Sequence, residues 1–247
     1  MKKKLLLIMA TAIMIVLQSC GAIADEKQSE LQKTTYYNIC LIIDGTDRLC
    51  NQNDVPYVSV AEMESLASFI CKNGLGTLYV SYVDKDCDNN KIAIFEQNDI
   101  RPSDIGRKAG YVQISKYNKE MEQRQKDQDA YDRKEAETIN QFSSECDLIV
   151  SAAYSNSVAK QQKGSDVNGA INKAIRLLRA SEQQDGQSFI ILVSDGCDNV
   201  GKQLHSLPND VKLLLVNSNV SKHHYEDIVS KEFASLKQAQ KYIFNIH

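Results

Sequence analysis

The chain lacks the signatures of several common functions. It carries seven cysteines but no Cys-x-x-Cys pair and no His/Cys cluster at zinc spacing, so no zinc site is expected. It has no basic stretch with interleaved aromatics, and its net charge is −3, which argues against nucleic acid as a partner. Of its four histidines, His205 and His247 are isolated, and His223 and His224 are adjacent. A ligand pair on a helix needs a spacing of three or four, so none is expected here. The apolar run Leu5–Leu17 falls short of the ~20 residues that a membrane-spanning helix requires.

That short run follows Lys2, Lys3 and Lys4, giving the charged and hydrophobic regions of a secretory signal over residues 1–19. The next residues, Leu17-Gln18-Ser19-Cys20, resemble the lipobox of bacterial lipoproteins. The resemblance implies cleavage before Cys20, lipidation of its sulfur, and a mature protein held at a membrane surface by acyl chains. The implied location is the bacterial cell envelope, at the outer membrane in a Gram-negative cell. Residues 21–35 are polar with little to bury and read as a tether that follows the lipidated Cys20. Residues 36–247 are enough for one α/β domain with a full core.

With Cys20 lipidated, six thiols remain: Cys40, Cys50, Cys71, Cys87, Cys146 and Cys197. An even number in an oxidising compartment permits up to three disulfides, whose pairing the sequence does not choose. Cys40 sits inside an apolar run and is expected as a buried free thiol.

Two apolar runs end in an aspartate. Phe189–Val193 leads into Ser194-Asp195-Gly196, and Ile39–Ile43 leads into Asp44-Gly45-Thr46. Continuous apolar runs are the mark of parallel strands buried on both faces. Ligands of open α/β sheets bind beyond the carboxyl ends of such strands, so both carboxylates are expected at one crevice.

Between and after these runs, periodicity predicts a helix over 58–72, then a hairpin of 77–83 and 91–96. The turn between the hairpin strands carries Asp84, Asp86 and Asp88, which read as a solvated turn, since the glycine and distal glutamate of an EF-hand are missing. A charged stretch without Gly or Pro predicts a long helix around 115–155, with Ile139, Phe142, Cys146, Ile149 and Ala153 as its apolar stripe. Its polar first half reads as a solvated arm or a partner-facing helix. An amphipathic helix follows over 167–178, with Ser165 a candidate N-cap. A last strand is expected over 211–216 and a closing helix over 226–243. The order predicts a doubly wound, mostly parallel sheet with one antiparallel edge strand and helices on both faces.

Three motifs in order, ICLIIDGTD, GSDVNGAINKAI and FIILVSDGCDN, resemble those of the von Willebrand factor A (vWA) domain over about residues 36–246. The resemblance implies a metal-ion-dependent adhesion site with Asp44, Thr46, Ser165 and Asp195 as ligands. Such hard oxygen donors suit Mg2+, with waters or a partner's carboxylate completing the shell. Arg48 stands where the family has its second serine; it cannot coordinate a cation and adds positive charge. Asp198 and Asn199 read as turn residues. The implied function is binding of a protein or cell-envelope ligand. Two alternatives remain open: a phosphoaspartyl-type, Mg-dependent phosphatase with Asp44 as nucleophile, and a structural envelope lipoprotein with no ligand at the crevice.

Overall fold

The computed structural model describes residues 35–45, 55–102, 114–154, 164–181, 186–217 and 225–245. Strand β1 (Thr35–Ile43) is apolar on both sides, and the fold follows from covering both. Ile39, Leu41 and Ile43 face one layer, while Cys40 and Ile42 face the other. Its neighbours repeat the alternation. In β4 (Gln187–Val193), Phe189, Ile191 and Val193 turn to the first layer and Ile190 and Leu192 to the second. In β5 (Val211–Val216), Leu214 and Val216 oppose Leu213 and Leu215 in the same way.

The remaining strands are β2 (Gly74–Tyr82), β3 (Ala93–Gln97) and β6 (Val229–Phe233). The sheet order is β3-β2-β1-β4-β5-β6, with only the β2–β3 pair antiparallel. This is the expected Rossmann-like, doubly wound α/β fold with one antiparallel edge strand.

Three helices cover the first layer. They are α1 (Val60–Asn73), the carboxyl half of α2 (Ile114–Tyr154) and α4 (Leu236–Phe244). Helix α3 (Val167–Ala180) covers the second, through Val167, Ile171, Ala174 and Ile175. None of the helices among the described residues is long and apolar enough to cross a membrane.

Helix α1 begins where Glu62 Oε2 accepts from the Ser59 N–H at 2.9 Å and from its hydroxyl at 3.0 Å. Glu62→Ala removes both bonds at a helix start and is expected to cost about 1 kcal/mol, read as a thermal midpoint lower by roughly 2–4 °C. The helix ends at Gly74, whose backbone is extended (φ 175°) rather than left-handed, so the chain passes directly into β2. Glycine is needed there for close approach, since a Cβ would lie 2.1 Å from the Thr35 carbonyl oxygen.

Helix α2 runs unbroken for 41 residues, roughly 60 Å. Phe142, Cys146, Ile149 and Ala153 are buried as expected. The stretch 118–127 is exposed throughout, and side chains four apart, such as Gln123 with Asp127 and Lys126 with Glu122, bond one another.

The closing segment corrects the expectation of a helix over 226–243. Val229–Phe233 is an edge strand parallel to β5, and the helix starts only at Leu236. Ser235 accepts from the Gln238 N–H, and Gln238 Oε1 accepts from the Ala234 N–H at 3.0 Å. This cap fixes a helix start that the apolar spacing alone does not reveal. The β-branched pair Ile228-Val229 favours the strand before it.

Candidate functional site

The carboxyl ends of β1 and β4 meet in register, Ile43 opposite Val193. One residue further, the Asp44 N–H donates to the Val193 carbonyl at 2.9 Å. The Ser194 hydroxyl donates to Asp44 Oδ2 at 2.8 Å and accepts from the Gly196 N–H at 3.0 Å. Asp44 and Ser194 are fully buried (0% exposed). Asp195 is half-buried, and its Oδ1 accepts from the Cys197 N–H at 2.8 Å. The turn is made possible by Gly196, whose φ of 75° lies in the left-handed region. From the next strand, Asn217 Nδ2 donates to the Ser194 carbonyl at 3.0 Å. Asp44 and Asp195 therefore follow paired positions on adjacent strands, as the two apolar runs predict. Gly45 lies against the end of α2, where a Cβ would sit 2.0 Å from the Ala153 carbonyl oxygen.

The third segment is laced to the β4 loop. Ser165, buried, donates its N–H to Asn199 Oδ1 at 2.6 Å, and its carbonyl accepts from the Asn199 N–H at 3.2 Å. Asp198 accepts from the N–H groups of Asn168 and Gly201, at 2.9 and 2.8 Å. Asp198 and Asn199 thus act through backbone ties, as turn residues do.

Ser165 is not the N-cap of α3. That place is taken by Asp166, fully buried, whose Oδ1 accepts from the Gly169 N–H at 2.9 Å. Its other oxygen pairs with Lys202 Nζ at 2.6 Å. Lys202 also reaches Asp88 at 3.4 Å and Asp86 at 3.6 Å, and Arg176 pairs with Asp88. The acidic turn after β2 is thereby closed by cations of the chain itself. The hydrogen bond that Lys202 donates to Asp166 is the main cause that raises the Lys202 pKa above the ordinary lysine range. Lys173, buried, donates from Nζ to the carbonyls of Cys87 (3.0 Å) and Asn90 (2.6 Å), and desolvation lowers its pKa.

Tyr225 joins these groups. Its hydroxyl donates to Asn168 Oδ1 at 2.8 Å. Its pKa is raised, first by burial and then by Asp198, Asp44, Cys197 and Asp166. Ser194, Asp166, Lys202, Asn217 and Tyr225 are not among the site residues that the sequence motifs point to. Ser194 lay within the strand-end motif, and Asp166-x-x-Gly169 is a readable cap; Lys202, Asn217 and Tyr225 carry no local signal.

Thr46, Asp47 and Arg48 lie outside the described residues, as do Cys20, Cys50, His223, His224 and His247. Cys40, Cys71, Cys87 and Cys146 are free thiols, all four buried. Cys40 is thus the buried free thiol that its apolar run predicts, and the upper limit of three disulfides is not reached. Cys87 shows why: its Sγ donates to the Asp166 carbonyl at 3.1 Å, inside the packing of α3 against the acidic turn. Among the described residues no group of three or more His, Cys, Asp and Glu is placed to hold a metal ion. Asp44, Ser194 and Asp195 at the strand ends carry only hard oxygens, the donor type that suits Mg2+ rather than a softer metal. No protein-family model matches the chain, and no curated protein matches it.

Proposed function

We propose that the chain is a lipid-anchored binding module of the vWA type, whose rim of Asp44, Thr46, Ser165 and Asp195 holds Mg2+ and receives a protein or cell-envelope partner. One observation carries the reading. The Ser194 hydroxyl bonds Asp44 Oδ2 across 150 residues of chain, which ties the end of β1 to the turn that carries Asp195 and supports a shared rim. A second support is the sheet order, which sets β1 and β4 side by side at the centre.

In this reading Asp44 supplies a buried carboxylate, oriented by Ser194. Asp195 supplies a half-exposed one, and Ser165 a hydroxyl from the α3 side. A divalent cation bound there would offer an open coordination position to an acidic group of the partner. Arg48, four residues after Asp44 in the sequence, is the candidate modifier of the site through its positive charge. Cys20 carries the lipid anchor, in the bacterial envelope and at the outer membrane in a Gram-negative cell.

Two measurements test the proposal. Titration with Mn2+ as a reporter for Mg2+ is expected to show one saturable site, about tenfold weaker in Asp195→Ala. Labelled palmitate is expected to enter the chain and to be lost in Cys20→Ala. Absence of saturable Mn2+ binding removes the metal-dependent reading, and turnover of a generic phosphate ester would favour the phosphatase instead.

A further inference from the structure

Away from the rim, the second face of the sheet extends past α3 onto β2 and β3. There Ile94 is 46% exposed and Glu96 is exposed. A cavity of about 350 Å3 opens beside them. It is lined by Tyr36 from β1, Thr77 and Tyr79 from β2, Glu96 and Asn98 at the end of β3, and the last turn of α3 at Ala180. The volume falls at the small end of the range for ligand sites, roughly 300–1,000 Å3.

The chemistry of its walls has one sign. Among the described residues that line it, Glu96 is the only charged side chain, and register sets it directly opposite Thr77. The carboxyl end of a helix carries the negative pole of its dipole, and α3 ends at this cavity. That end is fixed in place, since the Ser181 hydroxyl donates to the buried Asn38 Oδ1 at 3.0 Å. Two tyrosines add rings whose faces attract cations. The Tyr36 hydroxyl lies 3.5 Å from Thr77 Oγ1, so both belong to one polar wall. Burial raises the Tyr79 pKa, with Cys40, Glu96 and Tyr36 adding to it. An anion would meet repulsion from Glu96 and from the helix end together. A cation meets a carboxylate, carbonyl dipoles and aromatic rings.

We propose that this cavity is a binding site for a small alkylammonium cation, with Glu96 as its counter-charge and Tyr36 and Tyr79 as its aromatic walls. The site lies apart from the rim and does not depend on metal there.

Calorimetric titration of the full chain with choline, ethanolamine and 3,3-dimethylbutan-1-ol tests it. The alcohol has the shape of choline without its charge. Saturable millimolar binding of choline or ethanolamine is expected, with the alcohol at least about tenfold weaker. Preference between the two amines then tells a quaternary from a primary head. Glu96→Gln, a change at an exposed strand position, is expected to lose at least about tenfold in amine affinity with an unchanged thermal midpoint. Tyr79→Phe keeps the ring and is expected to keep most of the binding, whereas Tyr79→Leu is not. Equal binding of choline and the alcohol overturns the proposal, as does unchanged affinity in Glu96→Gln or no saturable binding of either amine.

Discussion

Lys202→Met is expected to destabilise the fold by about 2–3 kcal/mol, lowering the thermal midpoint by roughly 5–10 °C. The loss comes from what stays behind. Asp166 is fully buried, caps α3, and has its second oxygen 2.6 Å from Lys202 Nζ. Removing one member of a buried pair costs about 3–5 kcal/mol because the other charge is left in a poor solvent. Lys202 is itself 37% exposed, so water screens part of the pair and the lower figure applies. The double variant Lys202→Met/Asp166→Asn is expected to recover more than half of the loss. Asparagine still accepts from the Gly169 N–H at the cap but carries no charge. A single-variant loss within about 0.5 kcal/mol of zero would show that the bridge is no more than surface decoration.

The pH dependence of the same variant has a definite sign. The Lys202 pKa is raised on folding, so its contribution is complete below the unfolded value of about 10.4 and fades as pH rises through the folded one. On the acid side, Asp88 is held below its ordinary value, first by the hydrogen bond from Arg176 and also by Lys202. Its contribution is present above about 3.9 and lost as pH falls through the folded value. The stability difference between wild type and Lys202→Met is therefore expected to be flat between about pH 5 and 9 and to shrink at both ends.

How much of this was legible in the sequence depends on whether the signal was local. The central strands were legible because burial on both faces leaves an unbroken apolar run, and both runs end in aspartate. Helix α2 was legible in its polar half by charge and in its packed half by the stripe from Ile139 to Ala153. The segment after β5 departs from its apolar spacing for an identifiable reason. Ile228, Val229, Phe233, Leu236 and Ala239 fit a helical spacing, but the first three split between the two faces of an edge strand and its flank. The cap at Ser235, with Gln238 three residues on, was the better boundary marker. Asp166 was overshadowed by its neighbour Ser165, although Gly169 stands at cap distance. Lys202 was beyond reach, since its partners Asp86, Asp88 and Asp166 come from two other segments and meet it only through the fold.

Asp44→Asn is expected to abolish divalent binding at the rim while leaving the unliganded fold intact, and this pairing separates a ligand from a mere structural acid. An asparagine oxygen can still accept from the Ser194 hydroxyl, so the bond joining β1 to β4 persists. What disappears is the buried negative charge, for which the expected loss is at least about 100-fold in Mn2+ affinity, or about 2.7 kcal/mol. On the proposed reading, at a Mg2+ concentration about 100 times its dissociation constant, wild type is expected to gain about 2.7 kcal/mol of stability and Asp44→Asn almost none. Ser194→Ala makes the opposite cut. It keeps the carboxylate but takes the acceptor from the buried Gly196 N–H and the donor from Asp44, so about 1–2 kcal/mol of unliganded stability goes. Metal affinity then falls by only about tenfold, as for an orienting partner. If Asp44→Asn instead unfolds the protein as readily as Ser194→Ala does, or keeps the Mg2+-induced rise in midpoint, Asp44 is an anchor for the β4 turn and the adhesion-type rim is lost with it.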